Sequence, residues 1–150
     1  MFTMPKANAS GAASEVVSMR LRHDQVRQLR RYGRAVGRSV GSVAALLLEE
    51  KLREEENPLI EFRSTPEGRQ PFVKGSRLKV WQVEMLARQM GHDPSAIADH
   101  LQKDRRSIAA ALSYAQTYTT EIDPLVDDVM STTESDLGSR LAGMMVDPGR

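Results

Sequence analysis

Ser18 and Arg20 stand two residues apart in Val16-Val17-Ser18-Met19-Arg20-Leu21-Arg22, a spacing that places both on one side of an extended chain. Val16 shares that side, while Val17, Met19 and Leu21 share the other. An arginine held this way can grip the O6 and N7 edge of a guanine with two parallel hydrogen bonds, and a serine can bond either kind of base. Val16 either touches a thymine methyl or leaves one position unread. The other residues with candidate chemistry are His92, Asp93, Asp99 and His100, the only cluster suited to a metal or to acid–base work. On a helical reading Asp93 is a cap, His92 lies in a turn, and Asp99 and His100 are neighbours that point apart. Two ligands four residues apart on one helix face, as zinc would want, are absent. There is no cysteine, so thiolate metal sites and cysteine nucleophiles are excluded. No glycine-rich phosphate loop follows an apolar strand; Gly37, Gly41 and Gly75 read as helix punctuation. The expectation is no catalytic residue, no metal, no cofactor and no enzyme activity.

The elements that would position Ser18 and Arg20 begin with a strand over residues 16–22. A lone strand leaves its edge hydrogen bonds unmade, so it should pair with its own copy in a second chain. The paired ribbon would bury Val17, Met19 and Leu21 and present Val16, Ser18 and Arg20. After it, Val26, Leu29, Tyr32, Gly33 and Val36 recur at helical spacing, with arginines at 27, 30, 31 and 34 on the other faces. Gly37 can take the left-handed conformation that ends this helix, and Ser39 caps the next. There Val40, Val43, Ala44, Leu47, Leu48 and Leu52 form the expected buried stripe, with Val43 and Leu47 joining Val17, Met19 and Leu21 in a dimer core. Gly41 and Ser42 fall in the first turn, where free amides can hold a phosphate; Arg22, Arg38 and Ser39 are the other candidates for the DNA backbone. Strand, glycine stop, serine cap and second helix, with Gly37-Arg38-Ser39-Val40-Gly41-Ser42 between the helices, resemble the ribbon-helix-helix (Arc-like) repressors over about residues 15–56. The resemblance implies a homodimer that reads the major groove of double-stranded operator DNA with its ribbon and clamps the phosphates with the start of its second helix. Further assembly of dimers on DNA is open.

Asn57-Pro58 ends the second helix, because proline disfavours helix at the residue before it. Leu59–Arg63 and Gln70–Lys74 flank Thr65-Pro66-Glu67-Gly68, which predicts a β-hairpin or two short extended arms. A helix follows from about Val80, with Trp81, Met85, Leu86 and Met90 as core candidates, and Gly91 stops it. Asp93-Pro94 opens a short helix carrying Ile97, Ala98 and Leu101, and Asp104 caps another carrying Ile108, Ala111, Leu112 and Ala115. Three helices, the last two joined by a tight turn, read as a helix-turn-helix core. Arg105, Arg106 and Ser107 would then lie at the base-reading end of its last helix, a possible second DNA contact; contact with a protein or simple oligomerisation would use the same features. The motifs FVKG.RL.VW and AL.YA…EID make residues 58–123 resemble the domain of unknown function 433 family. That resemblance implies a VapB-type antitoxin-like module found beside PIN-like ribonuclease toxins, with no residue roles defined.

In the last segment Asp123-Pro124 suggests a new helical turn through Leu125, Val126 and Val129, and Ser131 with Glu134 matches a capping box. Leu137, Leu141, Met144 and Met145 then fall at amphipathic spacing, a pattern that either enters a groove on a partner or packs back on the second module. Charge supports the division: residues 15–53 carry nine basic and four acidic side chains, 54–68 one and five, 69–118 eight and four, and 119–150 two and seven. Two basic modules joined by an acidic connector and followed by an acidic tail suit DNA together with a protein partner. No apolar run approaches the roughly 20 residues that span a bilayer, and residues 1–14 lack a signal-peptide core and read as a flexible arm. The expected fold is mainly α, with an N-terminal strand forming an intermolecular ribbon, a small hairpin at 57–123 and a helix-turn-helix-like module there. The expected function is that of a cytoplasmic antitoxin that represses its own operon and neutralises a toxin, with an amphipathic tail over 124–150. A stand-alone repressor or plasmid-partition protein without a toxin is the alternative.

Overall fold

A computed structural model describes residues 13–144, with side chains described through residue 139. Among these residues the fold is mainly helical, with one small antiparallel sheet. The elements run α1 (His23–Val36), α2 (Val40–Glu56), β1 (Ile60–Thr65), β2 (Gly68–Val73), α3 (Val80–Met90), α4 (Pro94–Leu101), α5 (Arg105–Thr117) and α6 (Thr119–Met144). They form two compact units, and the division falls within α2, between Leu46 and Leu47.

In the first unit the turn after α1 is fixed by two glycines. Gly37 takes the left-handed conformation at φ 68°, which costs a residue without a side chain nothing. The carbonyl of Gly33 accepts the amides of Gly37 and Arg38, the latter at 2.8 Å. Gly33 is itself buried, and a Cβ there would lie 2.5 Å from the Arg38 carbonyl oxygen. The chain can therefore fold back only because position 33 has no side chain. Val43 is fully buried in this unit, Val26, Leu29 and Tyr32 are half-buried, and Val36 is exposed.

The expected N-terminal strand is absent from the single chain: residues 13–22 have no regular secondary structure, and the strands lie in the hairpin instead. A strand exists only by pairing its amides and carbonyls with a neighbour, and among the described residues no other segment pairs with 16–22. The buried stripe foreseen on α2 is also narrower than its pattern. Val40, Ala44 and Leu47 are half-buried, while Leu48 and Leu52 stay 50 % and 56 % exposed, because no element among the described residues covers that face.

The second unit starts with the hairpin. Ile60 pairs with Val73 and Thr65 with Gly68 across the two-residue turn Pro66-Glu67. Pro71 stands opposite Phe62, whose amide points away from β2 to Glu54 Oε1 at 2.8 Å, so the missing amide of Pro71 costs the ladder nothing there. The core gathers Ile60, Val73, Val80, Val83, Ala87, Ile97, Ile108, Ala111, Tyr114, Ile122 and Val126. Trp81, Met85, Leu86 and Met90, the expected core of α3, are only half-buried at its border. The fully buried line of α3 is Val80, Val83 and Ala87, where smaller side chains let α5 and α6 approach the helix closely. Asp93 and Asp104 cap α4 and α5 as their positions suggested, accepting the amides of Ser95 and Ser107 at 3.0 Å each.

The last helix corrects two expectations. α6 begins at Thr119 rather than at Asp123-Pro124, and Pro124 lies inside it. Ser131 starts nothing: its hydroxyl and those of Thr132 and Thr133 donate to carbonyls of Asp128, Asp128 and Val129 at 3.0, 2.8 and 2.9 Å. Hydroxyls that bond back one turn stay in the helix instead of capping it. Ile122 and Val126 anchor α6 in the core, whereas every described side chain from Ser131 onward is exposed.

Candidate nucleic-acid interface

Between residues 13 and 46 the chain carries seven arginines, all exposed, against Glu15 and Asp24. Val16, Ser18 and Arg20 are exposed, and so are Val17, Met19 and Leu21 from the intervening positions, with Val17 74 % exposed. The single chain thus leaves both the polar and the apolar side of this segment open. Arg22 is engaged locally: its guanidinium donates to Asp24 at 3.1 and 3.2 Å, and its amide donates to Gln25 Oε1 at 3.0 Å, tying the segment to the start of α1. That guanidinium also holds the Asp24 carboxyl below its usual range.

The start of α2 is open in a different way. Ser39 Oγ accepts the Ser42 amide at 3.2 Å, and the two hydroxyls lie 3.0 Å apart. Val40 and Gly41 have first-turn amides with no carbonyl one turn back. Gly41 is exposed, and a Cβ there would meet nothing within 4 Å. Among the described residues nothing crowds position 41 or requires a glycine there. Arg38, also exposed, lies beside this turn in sequence. Of the expected dimer-core residues, Val43 is buried within the chain and Leu47 is half-buried.

In the second unit Arg105 and Arg106 are exposed at the start of α5. Arg105 Nε donates to Ser95 Oγ at 2.9 Å, which joins the beginnings of α4 and α5. Ser107 belongs to the cap: its amide and hydroxyl both donate to Asp104 Oδ2, at 3.0 and 3.1 Å. Those two bonds hold the Asp104 carboxyl below its usual range, with Arg106 adding a smaller electrostatic pull. On α6, Leu137 is 54 % exposed; Leu141 and Met144 continue the helix but their side chains lie outside the described residues, as does Met145 altogether. Apart from residues 13 and 14, the expected arm also lies outside them.

Sequence reasoning missed three polar clusters of the second unit. Arg53 donates to Tyr114 Oη at 2.9 Å and to Glu49 and Glu121, and stacks 4.1 Å from the ring centre of Tyr118. Burial opposes the charge of Arg53, yet its bonds to Tyr114 and Glu121 leave its pKa raised. Buried Glu50 receives Arg69 Nε at 2.9 and 3.1 Å and Nη2 at 2.6 Å. Arg88 bridges Glu84, Asp123 and Asp127 at 3.1, 2.5 and 2.9 Å, while His92 Nε2 lies 3.2 Å from Glu84. Glu49–Arg53 and Glu84–Arg88 are visible as four-residue spacings; the other partners are up to 68 residues apart and left no local signal.

Asp93 is bound up in its cap, while Asp99 and His100 are exposed. Among the described residues no group of three or more His, Cys, Asp or Glu is placed to hold a metal ion, and no helix is long and apolar enough to cross a membrane. Compared with family models, with curated proteins and with solved structures, the chain matches none.

Proposed function

We propose that this protein is a dimeric DNA-binding antitoxin of the cytoplasm that represses its own operon. The reading rests on one observation: Val17, Met19 and Leu21 are exposed in the single chain, alternate with Ser18 and Arg20, and belong to a stretch, residues 13–46, whose seven arginines are all exposed. A second copy pairing with residues 16–22 would supply the missing strand hydrogen bonds and remove the apolar side from water. A two-stranded ribbon of this kind fits the major groove, where Arg20 and Ser18 address bases. Gly41 and Ser42, with Arg38 nearby in sequence, take the phosphates on either side, and the open space at Gly41 suits close approach of a backbone oxygen.

In the same proposal α6 beyond Met130 engages a cognate toxin, a PIN-like ribonuclease. Its support is an acidic helical end, with Glu134 and Asp136, whose described side chains from Ser131 onward are all exposed. A helical end rich in Ser, Thr and Gly is marginal by itself in water, so a partner surface would account for its apolar positions. A stand-alone repressor or partition protein uses the same ribbon without that partner.

Selection of bound sequences from a random pool of duplex DNA with the full chain tests the DNA half. A two-fold-symmetric sequence should emerge, whereas an unenriched pool contradicts the reading. A nuclease-treated pull-down from the native host tests the other half, comparing the full chain with one cut after Met130. The cut belongs there because Ile122 and Val126 are core residues. A stoichiometric protein lost with the cut supports the antitoxin; recovery of the homodimer alone favours the stand-alone repressor.

A further inference from the structure

We propose that the exposed side of α5 is a second contact for duplex DNA, separate from residues 16–22. α4 buries Ile97 and Ala98, α5 buries Ile108, Ala111, Leu112, Tyr114 and Ala115, and residues 102–104 join them in a tight turn with Gln102 left-handed at φ 52°. Two helices locked at such a turn hold the opposite side of the second one outward, the arrangement by which a helix enters the major groove. That side of α5 carries exposed Arg106, Ser113 and Gln116, with half-buried Ala109 and Ala110 between them.

Its chemistry suits phosphate and base edges. α5 has no carboxylate in its 13 residues, while each of the other helices has at least one. Among the described residues no carboxylate lies within ion-pair distance of Arg105 or Arg106, and Arg105 is directed by a neutral serine. Lys103, exposed just before the helix, adds a third cation. Asp104, the acid within this group, is already committed to the amide and hydroxyl of Ser107. Ala109, Ala110 and Ser113 are short enough for a helix backbone to come close to a groove floor, and Gln116 and Ser113 can bond bases. Duplex RNA is a poorer fit, because its deep, narrow major groove does not admit a helix. A protein partner is a poorer fit too, since this side lacks the large apolar or aromatic anchors on which protein interfaces depend.

The test uses the full chain and a fluorescent mixed-sequence DNA duplex, with affinity followed between about 50 and 200 mM salt. Each phosphate contact contributes about 0.9 to the slope of log affinity against log salt. Arg105→Ala with Arg106→Ala should lower that slope by about 1–2 and weaken binding roughly ten-fold or more. Ser113→Glu, which puts an acid on the exposed middle of α5, should weaken binding as well and stands in if the double variant fails to fold. Slopes and affinities equal to the unaltered protein for these variants overturn the proposal, including the case where an acidic protein binds there instead. Arg20→Ala and the α5 variants, compared in parallel on the duplex recovered by selection, separate the two readings. Losses confined to the α5 variants uphold this contact and sink the ribbon; losses confined to Arg20→Ala do the reverse.

Discussion

Position 33 sets two rules of residue chemistry against each other. Alanine is worth about 1 kcal/mol more than glycine inside a helix, and Gly33 is inside α1. Yet a Cβ at 33 would come 2.5 Å from the Arg38 carbonyl oxygen, a backbone atom that cannot swing away. The clash should win, so Gly33→Ala is expected to destabilise the protein by about 1–3 kcal/mol; a denaturant midpoint unchanged or raised would contradict this. Tyr114 makes a pH-dependent case. Burial, helped by the Glu121 carboxylate, holds its hydroxyl above the usual range. The unfolded phenol ionises near pH 10, so this group's contribution is intact below about pH 10 and is lost as pH climbs from there toward the folded value. Tyr114→Phe should reduce the alkaline loss of stability, at a cost of about 1–2 kcal/mol near neutrality for its bonds with Arg53 and Glu121. Urea unfolding at about pH 8 and about pH 10.5 checks both effects, and equal alkaline losses in the two proteins would contradict the assignment.

Elements were legible where a short stretch of chain decides the outcome. Gly37 and Gly91 end α1 and α3, Asp93 and Asp104 open α4 and α5, and Pro66-Gly68 marks the hairpin, because a cap or turn involves only near neighbours. The turn between α4 and α5 carries a testable strain: Gln102 holds a left-handed backbone at φ 52°, which favours glycine by about 1 kcal/mol. Gln102→Gly should raise the thermal midpoint by a few degrees; a lower midpoint would show that the side chain is needed there. Legibility failed where distant parts of the chain decide. Ser131 has the look of a cap, but α6 was already running from Thr119 on the anchoring of Ile122 and Val126, and the hydroxyl simply bonded back. On α3 the bulky Trp81 and Met85 lie at the border of the core, while the smaller Val83 and Ala87 are fully buried, a choice set by neighbouring helices rather than by side-chain size. Of the candidate interface, Arg105 and Arg106 could be placed at a helix start from Asp104 alone. The Arg105–Ser95 bond and the Arg53–Tyr114–Glu121 cluster depend on tertiary contacts and could not.

At the scale of the whole molecule the charges are sorted rather than mixed. Arginines dominate residues 13–46, and acids dominate the described part of α6. A net charge of +1 therefore conceals separate basic and acidic regions. Within this distribution the central claim concerns one side chain. The measurement that tests it most directly is the affinity of the full chain and of Arg20→Ala for the duplex recovered by selection, beside an unrelated duplex of equal length. The account predicts that Arg20→Ala loses about 1–3 kcal/mol on the selected duplex and little on the unrelated one. Equal affinity of the two proteins for the selected duplex would contradict it.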